Sequence, residues 1–100
     1  MQIVWRADKA RRNKQKHGLE FSLAAEVFAD PFSVTTFDRN VGTEERWHTI
    51  GCVVCGRQFK LVLVVYCHPD PDDEAWVQII SLREATNHER RRYETQVCNP

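Results

Sequence analysis

"CVVCGRQFKLVLVVYC", residues 52–67, decides the fold. Its second half, Phe59 to Cys67, is the most apolar run of the chain, and from Leu61 onward it is apolar at successive rather than alternate positions. A strand of that kind is covered on both faces, so this segment predicts the centre of a sheet. Cys55, Gly56 and Arg57 in front of it predict a turn. Upstream, "RWHTIG" (46–51) alternates, with Trp47 and Thr49 opposing His48 and Ile50, and predicts a neighbouring strand. "DRNVGTEE" (38–45) reads as a loop and "SVTTF" (33–37) as a further strand. Downstream, "HPDPDDE" (68–74) is an acidic, proline-bearing loop and "AWVQIISL" (75–82) another strand. Ser81 followed by Glu84 matches a capping box, which starts a last helix at Arg83 and runs it to about Val97.

The first third of the chain changes period. Gln2 to Trp5 is short and β-prone, and Asp8 is placed to cap a helix that ends at His17 and Gly18. Phe21, Ala24, Ala25 and Phe28 stripe one face of a second short helix, stopped by Asp30 and Pro31. The expected order is β-α-α-β-β-β-β-α. This is an α+β domain: an antiparallel sheet with an N-terminal helical hairpin and a C-terminal helix.

A chain of 100 residues, 42% hydrophobic, supports one core and a single domain spanning residues 1–100. No apolar run approaches the roughly 20 residues that cross a bilayer, and the first residues lack the pattern of a signal peptide. A cytoplasmic protein with reduced thiols is expected, without membrane contact. Cys52 and Cys55 have the spacing of half a zinc site, with Cys67 and His68 nearby, but no second C-x-x-C supplies the other half. No metal or other cofactor is expected. Formal charge is zero, yet residues 1–18 hold six Lys/Arg against one acid, and residues 83–100 hold four against three. If the two ends fold together, they form a positive patch on a neutral protein.

Five blocks carry a family resemblance in order and spacing: "WRADKARRNKQKHGLEF" (5–21), "VFADP" (27–31), "EERWHTIG" (44–51), Gly56-Arg57, and "IISLREATNHERRRYE" (79–94). Together they resemble the BrnT toxins of type II toxin–antitoxin systems. The resemblance implies a RelE-like fold and an endoribonuclease that inhibits translation. It also implies neutralisation by a BrnA-like antitoxin in a heterotetramer, with operator DNA contacted only through the antitoxin. Three features depart from the pattern: Gln78 where relatives carry arginine, the long acidic loop 68–74, and the Cys52–Cys55 pair.

Metal-free RNA cleavage needs a base for the 2′-hydroxyl, cations for the gathering charge, and an acid for the departing 5′-oxygen. Arg46, Arg57, Lys60 and Arg83 offer the cations, since a guanidinium matches two phosphate oxygens at once. His17, His48 and His88 are the natural proton carriers, with Lys16, Glu89 and Tyr93 as substitutes. The catalytic set is then Arg83, Arg46, Arg57, His17 and Glu89, converging on one phosphodiester. Lys16, Lys60, His48, Arg91, Arg92 and Tyr93 form the RNA-binding set. Each also has a structural explanation. Lys16 and His17 suit the negative end of a helix, Arg46 has Glu44 and Glu45 beside it, and Arg90 to Arg92 suit a solvated face. Arg83 differs, because a cation at the start of a helix calls for an anionic partner, and Glu89 is within reach. Trp47, Tyr66 and Trp76 are aromatic enough to stack on bases, although core packing is the commoner use. A non-enzymatic RNA-binding or partner-docking module of the same shape is the alternative.

Overall fold

A computed structural model describes residues 1–98. Five strands form one sheet: β1 (Gln2–Val4), β2 (Val34–Val41), β3 (Glu44–Cys55), β4 (Gln58–Cys67) and β5 (Trp76–Glu84). Three helices accompany them, α1 (Ala7–His17), α2 (Ala24–Ala29) and α3 (Asn87–Cys98), with a 3-10 turn at Phe21–Leu23 before α2. The strand order is β1-β5-β4-β3-β2, which puts the continuous apolar run at the centre as its composition requires. Strands β2 to β5 are antiparallel neighbours, but β1 pairs with β5 in parallel, so the sheet is mixed. Among the described residues no helix is long and apolar enough to cross a membrane.

Residues directly opposite in a ladder share a face, so the registers sort the side chains. One face carries Val53, Val62, Val64, Tyr66, Val77, Ile79 and Leu82, all buried, and Leu19, Phe21, Ala24 and Val27 cover it. The other carries Arg46, His48 and Ile50 of β3, then Leu63, Val65 and Cys67 of β4, then Gln78, Ser81 and Arg83 of β5. Ile50 and Leu63 are fully buried there although they lie outside the main core.

The two N-terminal helices do not form a hairpin. Helix α1 packs along β5, whereas α2 packs on β3 and β4. Its buried positions are Ala24 and Val27, while Ala25 is exposed, because the 3-10 turn rotates the stripe. Gly18 closes α1 with φ 72°, the left-handed geometry that only glycine adopts without strain.

Two expected boundaries moved. The segment 38–45 is mostly strand: β2 and β3 pair out to Val41 and Glu44 around a turn with Gly42 at φ 63°. Alternation is invisible there because these residues are exposed on both faces, and a bulge between Phe37 and Arg39 breaks the period. Likewise Arg83 lies in β5, not in a helix. Backbone pairing of Leu63 with Arg83 and Val62 with Glu84 carries the strand through Ser81, and α3 starts at Asn87. The working capping box is Thr86 with Glu89: the Glu89 carboxylate accepts from the Thr86 N–H at 2.9 Å, and the Thr86 hydroxyl accepts from the Glu89 N–H at 3.3 Å.

Gly51 shows how closely α2 approaches β3. A Cβ at this position would stand 2.6 Å from the Val27 carbonyl oxygen and 3.0 Å from its Cα. Backbone cannot retreat as a side-chain tip can, so Gly51→Ala is expected to destabilise the protein by about 1–3 kcal/mol. Urea unfolding of the two proteins measures this, with the midpoint falling and the slope unchanged.

Candidate functional site

The second face of the sheet is bounded by two helices. Helix α1 follows β1 and continues alongside the free edge of β5. Its buried Asn13 fastens it there: Oδ1 accepts from the Leu82 N–H at 3.0 Å, and Nδ2 donates to the Leu19 carbonyl at 3.1 Å. Polar contacts fasten α3 across the other side. Arg83 donates to both carboxylate oxygens of Glu89 at 2.7 and 2.9 Å, Arg92 reaches the Thr36 hydroxyl, and Tyr93 donates to Asp30 at 2.6 Å. Asp30 also accepts from the Cys52 and Phe32 N–H groups, so it joins α2, β3 and α3 at one point. Val54 N–H, further along the same strand, is satisfied by Glu26 at 3.3 Å.

Between α1 and β5 lies a groove of about 440 Å³, lined by Lys9, Arg12, Asn13, Lys16, His17, Ile80, Ser81 and Arg83. Positions 9, 12, 16 and 17 fall on one face of α1, and the bulge between Val65 and Tyr66 of the ladder leaves Ile80 as the extra residue opposite them. Arg83, Lys16 and His17, chosen from distant parts of the sequence, therefore meet. Beside the groove, His48, Val65 and Ser81 form one cross-strand row, and Arg46, Cys67 and Gln78 form another. His48 Nε2 is buried without a hydrogen-bond partner. Burial holds the imidazole below its usual pKa, with nearby Arg92 and Arg83 adding to the effect against Asp38 and Glu89. His48 is thus neutral at pH 7.

Glu89 is held far lower, from an ordinary 4.5 to about 2, chiefly by the Arg83 hydrogen bonds and then the Thr86 N–H, against the cost of burial. The same bonds raise the Arg83 pKa. A carboxylate this acidic is a weak base while it holds Arg83. Because its folded pKa is depressed, Glu89 stabilises the protein above its ordinary value, and that stability is lost as pH falls from about 4.5 toward 2. Acid unfolding of Glu89→Gln should show a shallower dependence across this window than the parent. Equal slopes would remove Glu89 as the source.

The remaining candidates divide. Arg46 shares the face with Arg83 and pairs with Glu44 at 3.0 Å. Arg57 does not converge with them: it sits in the β3–β4 turn, about 30 Å along the strand from Arg46. Lys60 pairs with Val53 and so belongs to the opposite face. Arg91 is exposed on α3, and Tyr93 is committed to Asp30, its pKa raised by burial and by that carboxylate. Tyr66 is buried, donating or accepting a bond with Thr49 at 2.9 Å, and Trp47 stacks edge-on against Phe37, so neither is free for bases. Cys52 and Cys55 point to opposite faces of β3, a geometry that cannot close on one metal ion. Lys9 and Arg12, which the sequence reading passed over, are groove residues. Their spacing with Lys16 was the available signal.

Compared with protein-family models, residues 5–89 match the one described as "Ribonuclease toxin, BrnT, of type II toxin-antitoxin system". No curated protein matches the chain.

Proposed function

Since the chain belongs to the BrnT family of ribonuclease toxins of type II toxin–antitoxin systems, we propose that it is an endoribonuclease that cleaves RNA without a metal ion and so blocks translation in the cytoplasm. The observation that carries this reading is the meeting of Arg83, Lys16 and His17 in one groove, with Glu89 bonded to Arg83 from behind.

The phosphodiester binds against Arg83 and exchanges places with the Glu89 carboxylate, because both are bidentate partners for the same guanidinium. Glu89, relieved of the cation that makes it so acidic, becomes the stronger base and takes the 2′-hydroxyl proton. The 2′-oxygen attacks phosphorus, the bond to the 5′-oxygen breaks, and His17 supplies the proton that this oxygen needs. Arg83 and Lys16 stabilise the charge on the non-bridging oxygens, and Arg46 serves the adjoining stretch of the same face. Neutral, packed His48 positions the strand row between them. Arg57 and Lys60 have no part in this scheme.

A BrnA-like antitoxin covers this RelE-like face in a heterotetramer of two toxins and two antitoxins. It alone contacts operator DNA. Two measurements test the reading. Expression of the chain should arrest growth, with rescue by the neighbouring open reading frame, and purified protein should cut RNA in the presence of a chelator. Protein that binds RNA and leaves it intact for hours would overturn the enzymatic reading in favour of an RNA-binding module.

A further inference from the structure

We propose that the groove between α1 and β5 is a track for the single-stranded RNA backbone beyond the cleaved phosphate, with Lys9, Arg12 and Lys16 gripping phosphates and Ile80 seating the sugar or base. The inference rests on the ribonuclease reading for its substrate and extends it from Lys16, which adjoins the cleaved phosphate, to Lys9, Arg12 and Ile80, which have no part in bond breaking.

The argument begins with α1. Its cations are split between two faces: Lys9, Arg12 and Lys16 face the groove, whereas Arg11 and Lys14 lie outside it. Lys14 is engaged with Glu20 at 3.4 Å and with the Gly18 carbonyl. Lys9 and Lys16, in contrast, take part in none of the ion pairs among the described residues, and Arg12 has only an exposed contact with Asp8 at 3.6 Å. Lys9 and Lys16 are separated by two helical turns, about 10 Å along the axis, a span suited to successive phosphates rather than to one. No carboxylate lines this groove. Cations that outnumber the carboxylates beside them, Asp8 at Arg12 and Glu89 behind Arg83, with Lys9 and Lys16 left over, are an electrostatic footprint for a polyanion.

The floor points to single-stranded nucleic acid in particular. Ile80 is the bulged residue of β5, and a bulge re-aims a side chain that regular pairing would turn inward. Ile79 and Leu82 remain fully buried on the core side, while Ile80 is half-buried in the groove beside Ser81. Cationic walls over an apolar floor are what a strand with unstacked bases requires. At its far end the groove reaches Arg83, so an RNA seated here presents the next phosphate to the proposed catalytic residues.

The test uses an uncleavable probe, a single-stranded DNA oligonucleotide, so that binding is read apart from catalysis. Its affinity is measured against salt concentration for the full chain and for Lys9→Ala/Lys16→Ala. Loss of two phosphate contacts should reduce the slope of log K against log salt by about 1.4. Arg11→Ala/Lys14→Ala removes the same charge from the other face of the same helix, and should leave the slope unchanged. If both double variants lose slope equally, or neither does, the track is wrong. Ile80→Asp should further weaken probe binding at fixed salt, and unaltered binding would remove the apolar seat. A protein that shows the slope change but never cuts RNA keeps the track and loses the ribonuclease reading. Cleavage with an unchanged slope does the reverse.

Discussion

Arg83→Ala is expected to abolish growth arrest and to lower RNA cleavage by about 100- to 1000-fold, the loss typical of removing one preorganised donor at a charge-developing oxygen. The protein should remain folded. Arg83 is one-third exposed, so water replaces part of what it gives Glu89, and the stability cost is on the order of 1 kcal/mol. Arg83→Lys separates geometry from charge. A lysine keeps the cation but lacks the fork that holds both oxygens of Glu89 at rest and would hold two phosphate oxygens after the exchange, so cleavage should recover only partly. The decisive measurement is single-turnover cleavage of a short RNA, with circular dichroism confirming the fold. A folded Arg83→Ala protein that cleaves at the parent rate would exclude Arg83 from the chemistry.

Asn13→Ala should produce the largest loss of stability of any single change considered, about 2–4 kcal/mol. The amide satisfies two buried backbone groups at once, the Leu82 N–H and the Leu19 carbonyl, and alanine leaves both unpaired. For a chain of this size, the melting temperature should fall by on the order of 10 °C or more. Asn13→Asp discriminates between the two bonds. It keeps an acceptor for Leu82 but turns an oxygen toward the Leu19 carbonyl, so it should be no better than alanine. A melting temperature within two degrees or so of the parent for Asn13→Ala would mean that water enters and replaces the amide.

The centre of the fold was legible because burial leaves a mark on composition. Leu61 to Cys67 is the covered strand its composition demanded, although Phe59 at the head of the run is 76% exposed, and Gly18 and Gly56 occupy the turns and caps that their neighbours demanded. The exposed hairpin of β2 and β3 left no such mark, since residues solvated on both faces carry no periodic signal, and backbone pairing alone extends it to Val41 and Glu44. At Arg83, two capping signatures stood five residues apart, and only the ladder with β4 selects Thr86–Glu89 over Ser81–Glu84. The expected anionic partner of Arg83 was nevertheless found, for a different reason: the arginine projects from a strand toward the helix that follows. Arg57 lies apart because the β3–β4 turn carries it to the far end of the ladder, and Lys60 because a list of cations does not say which of them share a face. That depends on register, and one residue of slip would exchange the two sets. The parallel pairing of β1 with β5 was equally hidden, since a three-residue strand has too little sequence to announce its partner.

That pairing has a consequence for when the molecule can act. Gln2 lies beside Trp76, and Asn13 closes on Leu82, so the first wall of the groove waits for residues 69 positions or more further along the chain. Such distant closures form late and slowly. A nascent chain that has not yet reached β5 carries its early lysines but has neither Arg83 nor the strand that orients them, so the groove does not exist until that strand is in place.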